Sequence, residues 1–582
     1  MPRKDRKKPS GMVIANRGKK SRGKKLVYQD EASSEKQKGE KDDEQEKDED
    51  ANEGNLGGIV SYYMDILADS MTIPKVIQLL GIFFLGNLIF VLFNQQAALV
   101  SEDEKETNDP WWPVVVGGMA LGANLLQLLV VCYNSYKNYT AKSEKLEKEG
   151  KAGEIKTLEK PQLPEFEYIY AVFVPLAVTL LIAPSKLPVV ASCIAQVPYL
   201  KLPVRVAVSY VTVYQLGTGG GDCTGTQIVL APIVLAATYL ILDKFVASSI
   251  SLTEKMLLSH LSVALLLLVD DSADITLVIF RALSISFGEA LFLALCLKDL
   301  YKAQKPGSIR SKALLFVIYA VFLGNGIIMS SKFLYPALRR QPWAWLSSFI
   351  AESETRSFIF KVWLASSLTI TPAVLTFGNK FAFGMRRKIW HFAIFLALSL
   401  PVVLDPQLCS MALVGLFGIF SLIEIVRANS IPPFGSWIRS LLLPFEDNKD
   451  KRGTYVFSYV YLVLGVALPL WFNNCENRGS SLIGLVCLGL GDSLASLLGK
   501  AIGVLYWPEG SKTIEGSFVF CLSTVAGLCF YQKYEEDDFN IYAILTTSIV
   551  TAVFEGNMSI NDNILVPVLG WLCMEASERM RY

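Results

Sequence analysis

The residues that could do chemistry in this chain stand in three short polar groups. The richest is Gly491-Asp-Ser-Leu-Ala-Ser-Leu-Leu-Gly-Lys500, followed by Trp507-Pro-Glu-Gly-Ser-Lys-Thr-Ile-Glu-Gly-Ser517. A carboxylate at the end of an apolar run, glycines that let a ligand approach the backbone, and a lysine between two hydroxyls are the parts that hold a metal-bound polyphosphate. Asp492 has apolar sequence on both sides, where an unpaired carboxylate would cost roughly a few kcal/mol or more, so a cation or a charged partner is implied. The purely structural alternative is a helix cap or an ion pair between helices. Ser511 to Ser517 has the composition of a phosphate cradle, but it is not a P-loop. Gly499-Lys500 is followed by Ala501, and Leu494 stands where the first glycine would be.

The second group is Arg386-Arg-Lys-Ile-Trp-His391. On a helix, Arg387, Lys388 and His391 can share a face, which suits binding a phosphate or positioning a hydroxyl. A charge anchor at a membrane surface is the bland reading of the same string. The third group, Glu555-Gly-Asn-Met-Ser-Ile-Asn-Asp-Asn563, offers two carboxylates and three amides, a ligand set for a hard cation or for a ribose and base edge. A polar turn between helices is its alternative.

The elements that must carry these groups are membrane helices. Of 582 residues 52% are hydrophobic and 19% charged, and the apolar residues fall in runs near the length needed to cross a bilayer. The expectation is an all-α polytopic bundle of about 14–16 spans, with Pro188, Pro198 and Pro203 interrupting residues 187–217. Residues 1–58 contain no apolar stretch and run from a lysine-rich and arginine-rich start into an acidic segment, which reads as a disordered cytoplasmic tail. The expected layout is this tail, a multi-span region at 59–378, and a catalytic membrane domain at 379–582.

The ten cysteines show no CxxC spacing, and the two histidines, His260 and His391, are too few for a histidine centre. Any metal must be held by oxygen. Basic loops at Lys380 to Lys388 and Arg427 to Arg452 flank the hairpin 389–427 and, by the positive-inside rule, face the cytoplasm. Counting spans onward puts Gly499 to Glu515 and Glu555 to Asn563 on the same side. The three polar groups therefore predict one composite site, with Asp492, Lys512, Glu515, Glu555 and Asp562 as its ionisable members.

Gly491-Asp-Ser-Leu-Ala-Ser with Gly499, Gly503, Trp507-Pro508, Lys512-Thr513 and Glu515-Gly-Ser517 resembles the CTP-binding signature of the polyprenol kinases, the dolichol kinase family in particular. The resemblance runs over residues 380 to 576 through Arg387 to His391, Phe420 to Arg427 with Glu424, Phe434 to Arg439, Glu446 to Gly453 and Tyr459 to Trp471. Departures are mild: Glu509-Gly510 follows Pro508 where relatives often have glycine directly, and Ser493 and Ser517 stand at positions that are often threonine. The resemblance implies transfer of the γ-phosphoryl group of CTP to the terminal hydroxyl of dolichol, in the endoplasmic reticulum membrane and with the nucleotide on the cytoplasmic face. The product, dolichyl phosphate, carries sugars for protein glycosylation.

It further implies roles for particular residues. Asp492 would hold a divalent cation, magnesium being the expected ion, together with Glu515 or Asp562. Lys512, with Ser511, Thr513 and Gly516, would cradle phosphates, and Gly491, Ser493, Gly499, Pro508, Ser517, Arg387 and Lys388 would complete the nucleotide site. His391 and Glu424 are candidates for a base. A CTP-dependent kinase of diacylglycerol or phytol, an enzyme like phosphatidate cytidylyltransferase, and an ion-coupled transporter using Asp492, Glu555 and Asp562 are the competing readings.

Overall fold

Apolar runs of this length can satisfy their backbone inside a bilayer only as helices, since each N–H must find its carbonyl within the same segment. The computed structural model describes residues 71–99, 112–148, 166–198, 200–217, 223–246, 248–269, 275–377, 380, 383–446, 453–473, 479–508, 510–533, 540–558 and 560–579. The expected charged tail at 1–58 lies outside them.

Among the described residues the main helices are α1 (Ile73–Leu99), α2 (Trp112–Lys148), α3 (Tyr170–Ile182), α4 (Leu187–Ile194), α5 (Leu202–Gly217), α6 (Gly225–Val246), α7 (Leu252–Val263), α8 (Ile275–Lys302), α9 (Ile309–Tyr319) and α10 (Gly326–Leu338). There follow α11 (Pro342–Ala351), α12 (Glu354–Phe377), α13 (Phe383–Leu398), α14 (Pro406–Ala428), α15 (Gly435–Leu442), α16 (Ser458–Phe472), α17 (Asp492–Ile502), α18 (Ile514–Gln532), α19 (Ile541–Asn557) and α20 (Asp562–Arg579). Among the described residues the one β feature is an isolated antiparallel bridge between Tyr506 and Thr513.

Among the described residues ten helical segments are long and apolar enough to cross a membrane, and four more apolar helices are shorter. The all-α polytopic expectation holds, and the short helices are what reduce the number of full-length spans. The stretch interrupted by proline becomes the brief α4 and a separate α5, because Pro188 sits in the first turn of α4 and the chain breaks again before Pro203.

Burial separates an inner from an outer layer. Within Gly479–Ile502, 72% of the most apolar window is buried, against 6% within Glu354–Phe377. The inner layer is α3, α16, α20 and the Gly479–Ile502 segment, with Trp471, Trp571, Tyr170 and Tyr461 fully enclosed. Outer helices such as α12 present Phe358 and Leu368 outward, the apolar exposure expected of a lipid-facing surface.

Two glycines set the closest helix contacts. A Cβ on Gly465 of α16 would stand 1.9 Å from the Asn563 carbonyl oxygen of α20, and one on Gly484 would stand 2.2 Å from the Gly465 carbonyl oxygen. Small residues permit this backbone approach between membrane helices. It fixes the height of the start of α20, where Asp562 lies. The turn before Asp562 is held from the other half of the chain: Ile560 N–H donates to Glu167 Oε1 at 3.1 Å, and Asn561 N–H to Glu254 Oε1 at 3.2 Å. Glu254 also closes the capping box of α7 with Ser251. Ile66–Tyr582 forms one compact unit, and these bonds cross the expected division at residue 378.

Candidate active site

A π-helical segment, Val486–Gly491, leads into α17 and delivers Asp492 to the end of the bundle. Such π turns recur at functional sites because one extra residue per turn redirects the side chains that follow. The helical path is continuous through Gly491, which makes no side-chain cap, so the role of Asp492 is not that of a helix cap. Gly491 and Ser493 are buried beside it.

Asp492, Glu555 at the end of α19 and Asp562 at the start of α20 converge, one ligand oxygen of each lying within 4.8 Å of the others. Asp492 Oδ2 accepts from Lys388 Nζ, and His391 Nδ1 lies 3.1 Å from the same oxygen and 3.1 Å from the Leu488 carbonyl. Two acceptors around Nδ1 place the proton on that nitrogen. The helical spacing of Lys388 and His391 on α13 thus serves a single carboxylate.

Lys512 spends all three of its N–H donors on this cluster, at 2.7 Å to Glu555 O, 2.6 Å to Glu555 Oε1 and 2.7 Å to Asp562 Oδ2. Burial alone would lower its pKa, but Asp562, Glu555 and Asp492 overcome that and hold the ammonium well above the usual lysine range. Lys512 is therefore a fixed cation at physiological pH. The loop that presents it is tight: Trp507 N–H donates to Lys512 O at 3.0 Å, Gly510 N–H to Trp507 O at 3.0 Å, and Ile514 N–H to Leu505 O at 2.8 Å.

The three groups do meet, as their spacing predicts, but individual residues take different work. Glu515 does not join the carboxylate cluster. Its carboxylate accepts from Val504 N–H at 3.0 Å and Leu505 N–H at 3.0 Å, because the first turn of α18 points it back at its own loop, and Glu555 occupies the third place. Thr513 caps α18 by accepting from Gly516 N–H at 3.1 Å. A Cβ on Gly499, Gly503 or Gly516 would come within 2.9 Å of Thr513 Oγ1, so these glycines close the loop on α17. Ser517 Oγ accepts from the Trp507 indole at 2.9 Å. Pro508 is half-buried in the loop, and Ser511 is exposed at its tip. Arg387 lies half-buried on α13 beside Lys388.

Glu424, a candidate base, is fully engaged elsewhere. Arg427 donates to it at 2.8 and 2.7 Å, Val456 N–H at 2.6 Å, and the Tyr459 hydroxyl also donates to it. With Glu446 on Arg427 at 3.0 Å, this is a lock between α14 and the start of α16.

The cluster fits a divalent cation. Three carboxylates face two ammonium groups, which leaves one negative charge in excess, and the buried Ser493 Oγ next to Asp492 has no hydrogen-bond partner. Oxygen donors on a hard-ion scale, with no cysteine or second histidine at hand, suit magnesium better than a soft metal.

Comparison with known proteins finds similarity over parts of the chain. Residues 30–270 match the family model described as the dolichol kinase N-terminal domain. A dolichol kinase from Saccharomyces cerevisiae is 32% identical over 250 residues, which is 42% of this chain and 47% of that protein. Over these stretches the chain is similar to dolichol kinases. Dolichol kinase sec59 of Schizosaccharomyces pombe is 34% identical over 199 residues, 33% of this chain and 39% of that protein, and the human dolichol kinase is 26% identical over 280 residues, 44% and 52%. The chain spans about half the length of the curated relatives it matches. No solved structure matches it. The candidate site, residues 388 to 562, lies wholly downstream of the stretch that matches the family model.

Sequence reasoning did not assign the Lys388–Asp492 ion pair or the holding of the 560–561 turn by Glu167 and Glu254. The first was legible in principle from two opposite charges in apolar surroundings; the second joins residues 393 and 307 positions apart and leaves no local signal.

Proposed function

We propose that this protein is a CTP-dependent dolichol kinase of the endoplasmic reticulum membrane, with its nucleotide site on the cytoplasmic face. The observation that carries the reading is the convergence of Asp492, Glu555 and Asp562 with Lys388 and Lys512 at one end of a membrane bundle. The names of its relatives support the lipid substrate, and CTP is proposed from the Asp492 to Ser517 signature.

In the proposed reaction the bond from the γ-phosphorus to the β–γ bridging oxygen breaks, and a new bond forms between that phosphorus and the lipid oxygen. CDP leaves, and the alcohol proton passes to a carboxylate of the cluster. Phosphoryl transfer needs in-line positioning and neutralised charge more than covalent help from the protein. A divalent cation held by Asp492, Glu555 and Asp562 would supply that neutralisation. Lys388 and His391 orient Asp492, and Lys512 is placed to exchange its carboxylate partners for phosphate oxygens. His391, 3% exposed and committed through Nδ1, serves here as a positioning residue.

The test is transfer of labelled γ-phosphate from CTP or ATP to dolichol or diacylglycerol by the full-length protein in lipid nanodiscs. Label in dolichol with CTP is the expected result. Label in diacylglycerol but not dolichol, or transfer from ATP alone, overturns the proposal.

A further inference from the structure

A cleft of about 90 Å³ opens between α8, α9 with its following π turn, and the end of α14. Its walls are aliphatic and aromatic, with Leu295, Ile318, Phe322 and Val426 among them, and most of the lining is half-buried, as in a groove open to one side. Its rim is cationic. Lys298 and Lys302 are four residues apart on α8, so their side chains share one helical face. Among the described residues no carboxylate lines the cleft, and neither lysine forms an ion pair with one. Asp299, next to Lys298 on α8, attracts it without lining the cleft, and the repulsion between the two lysines is relieved further when an anion enters between them.

The amide of Asn429 stands at the same rim. Its oxygen accepts from Lys298, and its nitrogen donates to Ile425 O at 2.9 Å and to the Tyr455 hydroxyl at 2.9 Å. The rim lies at the end of the bundle that carries the candidate active site. Asn429 follows α14, Tyr455 precedes α16, and Ser458 at the head of α16 accepts from the Asn563 side chain, next to Asp562.

We infer that this cleft binds a single-chain lipid with a phosphate monoester head, the product class of the proposed reaction. The lysine pair matches a head carrying close to two negative charges. One apolar groove of this volume takes the head-proximal part of one chain, and an isoprenoid monophosphate has one chain where a glycerophospholipid has two. The identity of the occupant as the reaction's own product rests on the function proposed above; the fit of an anionic single-chain amphiphile does not.

The experiment uses the full-length protein in phosphatidylcholine nanodiscs and a polyprenyl monophosphate bearing a photoreactive group near its head. Crosslinks are expected in α8 and α14, and crosslinks confined elsewhere overturn the site. Lys298→Gln with Lys302→Gln should weaken binding roughly tenfold or more, as loss of two charge-assisted contacts requires, while the paired arginine variant keeps it. Lys302→Gln alone, at an exposed position, serves if the double variant does not fold. Wild-type affinity in the glutamine variants, competition by inorganic phosphate as strong as by the lipid, or competition by phosphatidic acid equal to that by the isoprenoid phosphate each overturns the proposal. Binding needs no turnover. A protein that phosphorylates dolichol yet gives no crosslink here refutes only this site, and one that crosslinks without making product refutes only the catalytic reading.

Discussion

Replacing Lys512 with methionine separates its two tasks, holding the carboxylates apart from repulsion and meeting phosphate. In the structure its ammonium touches Glu555 and Asp562 within 2.7 Å, and the Glu555 side chain is 7% exposed. Removing one partner of a buried pair costs about 3–5 kcal/mol; with the lysine side chain 32% exposed, solvent reduces that to about 2–3 kcal/mol. A divalent cation can take the place of the lost charge, and at a concentration one hundred times its dissociation constant it stabilises by about 2.7 kcal/mol. In the wild type the cation must compete with Lys512 for the same oxygens, so its gain is smaller. Thermal unfolding in nanodiscs, followed with and without magnesium, should show Lys512→Met unfolding well below wild type in chelator and recovering most of the difference with the metal. A variant as stable as wild type in chelator, or a magnesium gain no larger than that of wild type, refutes the reading of Asp492, Glu555 and Asp562 as a cation site. The readout does not depend on catalysis.

Other consequences follow from the same geometry. Glu555→Gln should reduce CTP-dependent transfer by about 100-fold or more, as loss of a group acting on transition-state charge does, whereas Glu515→Gln should cost less than tenfold because Glu515 acts only on its loop; equal effects would restore Glu515 to the cluster. Asp492→Asn should match Glu555→Gln in rate loss and, measured by equilibrium binding, weaken magnesium affinity in the folded protein. Gly465→Ala drives a methyl group against the Asn563 carbonyl and should destabilise by about 1–3 kcal/mol, with activity falling further than stability because Asp562 moves; unchanged unfolding would show that the contact relaxes freely. Thr513→Ala should cost about 1 kcal/mol as a lost helix cap, read as a lower unfolding temperature with substrate-saturated activity largely kept.

Much of this site could be read from residue types. Asp492 in apolar surroundings, Lys512 between hydroxyls and the acidic pair near residue 560 each carried a local signal, and the parity of apolar spans brought them to one end, where the structure has them in contact. Glycine and hydroxyl identities were more ambiguous. Gly499, Gly516 and Thr513 suit a phosphate loop and a tight helix-capped hairpin equally, and only the contact of all three at Thr513 Oγ1 shows the second use. Glu515 and Glu555 were indistinguishable by type; their roles depend on whether the first turn of α18 points at its own loop, a matter of rotation about the helix that composition does not encode. Helix count suffered where prolines cut the chain at α4, since a run too short to cross can still be fully buried.

The bonds from Glu167 and Glu254 to the turn at Ile560 and Asn561 bear on how such a protein can change over time. Asp562 is anchored from the half of the chain that holds none of the three clustered carboxylates. A C-terminal piece produced alone would carry the whole acidic cluster yet leave the 560–561 amides without their acceptors. Exchanging the first half for that of a distant relative would similarly misplace a cation ligand that the exchange never touched. The two halves are tied to a common inheritance by a pair of backbone amides.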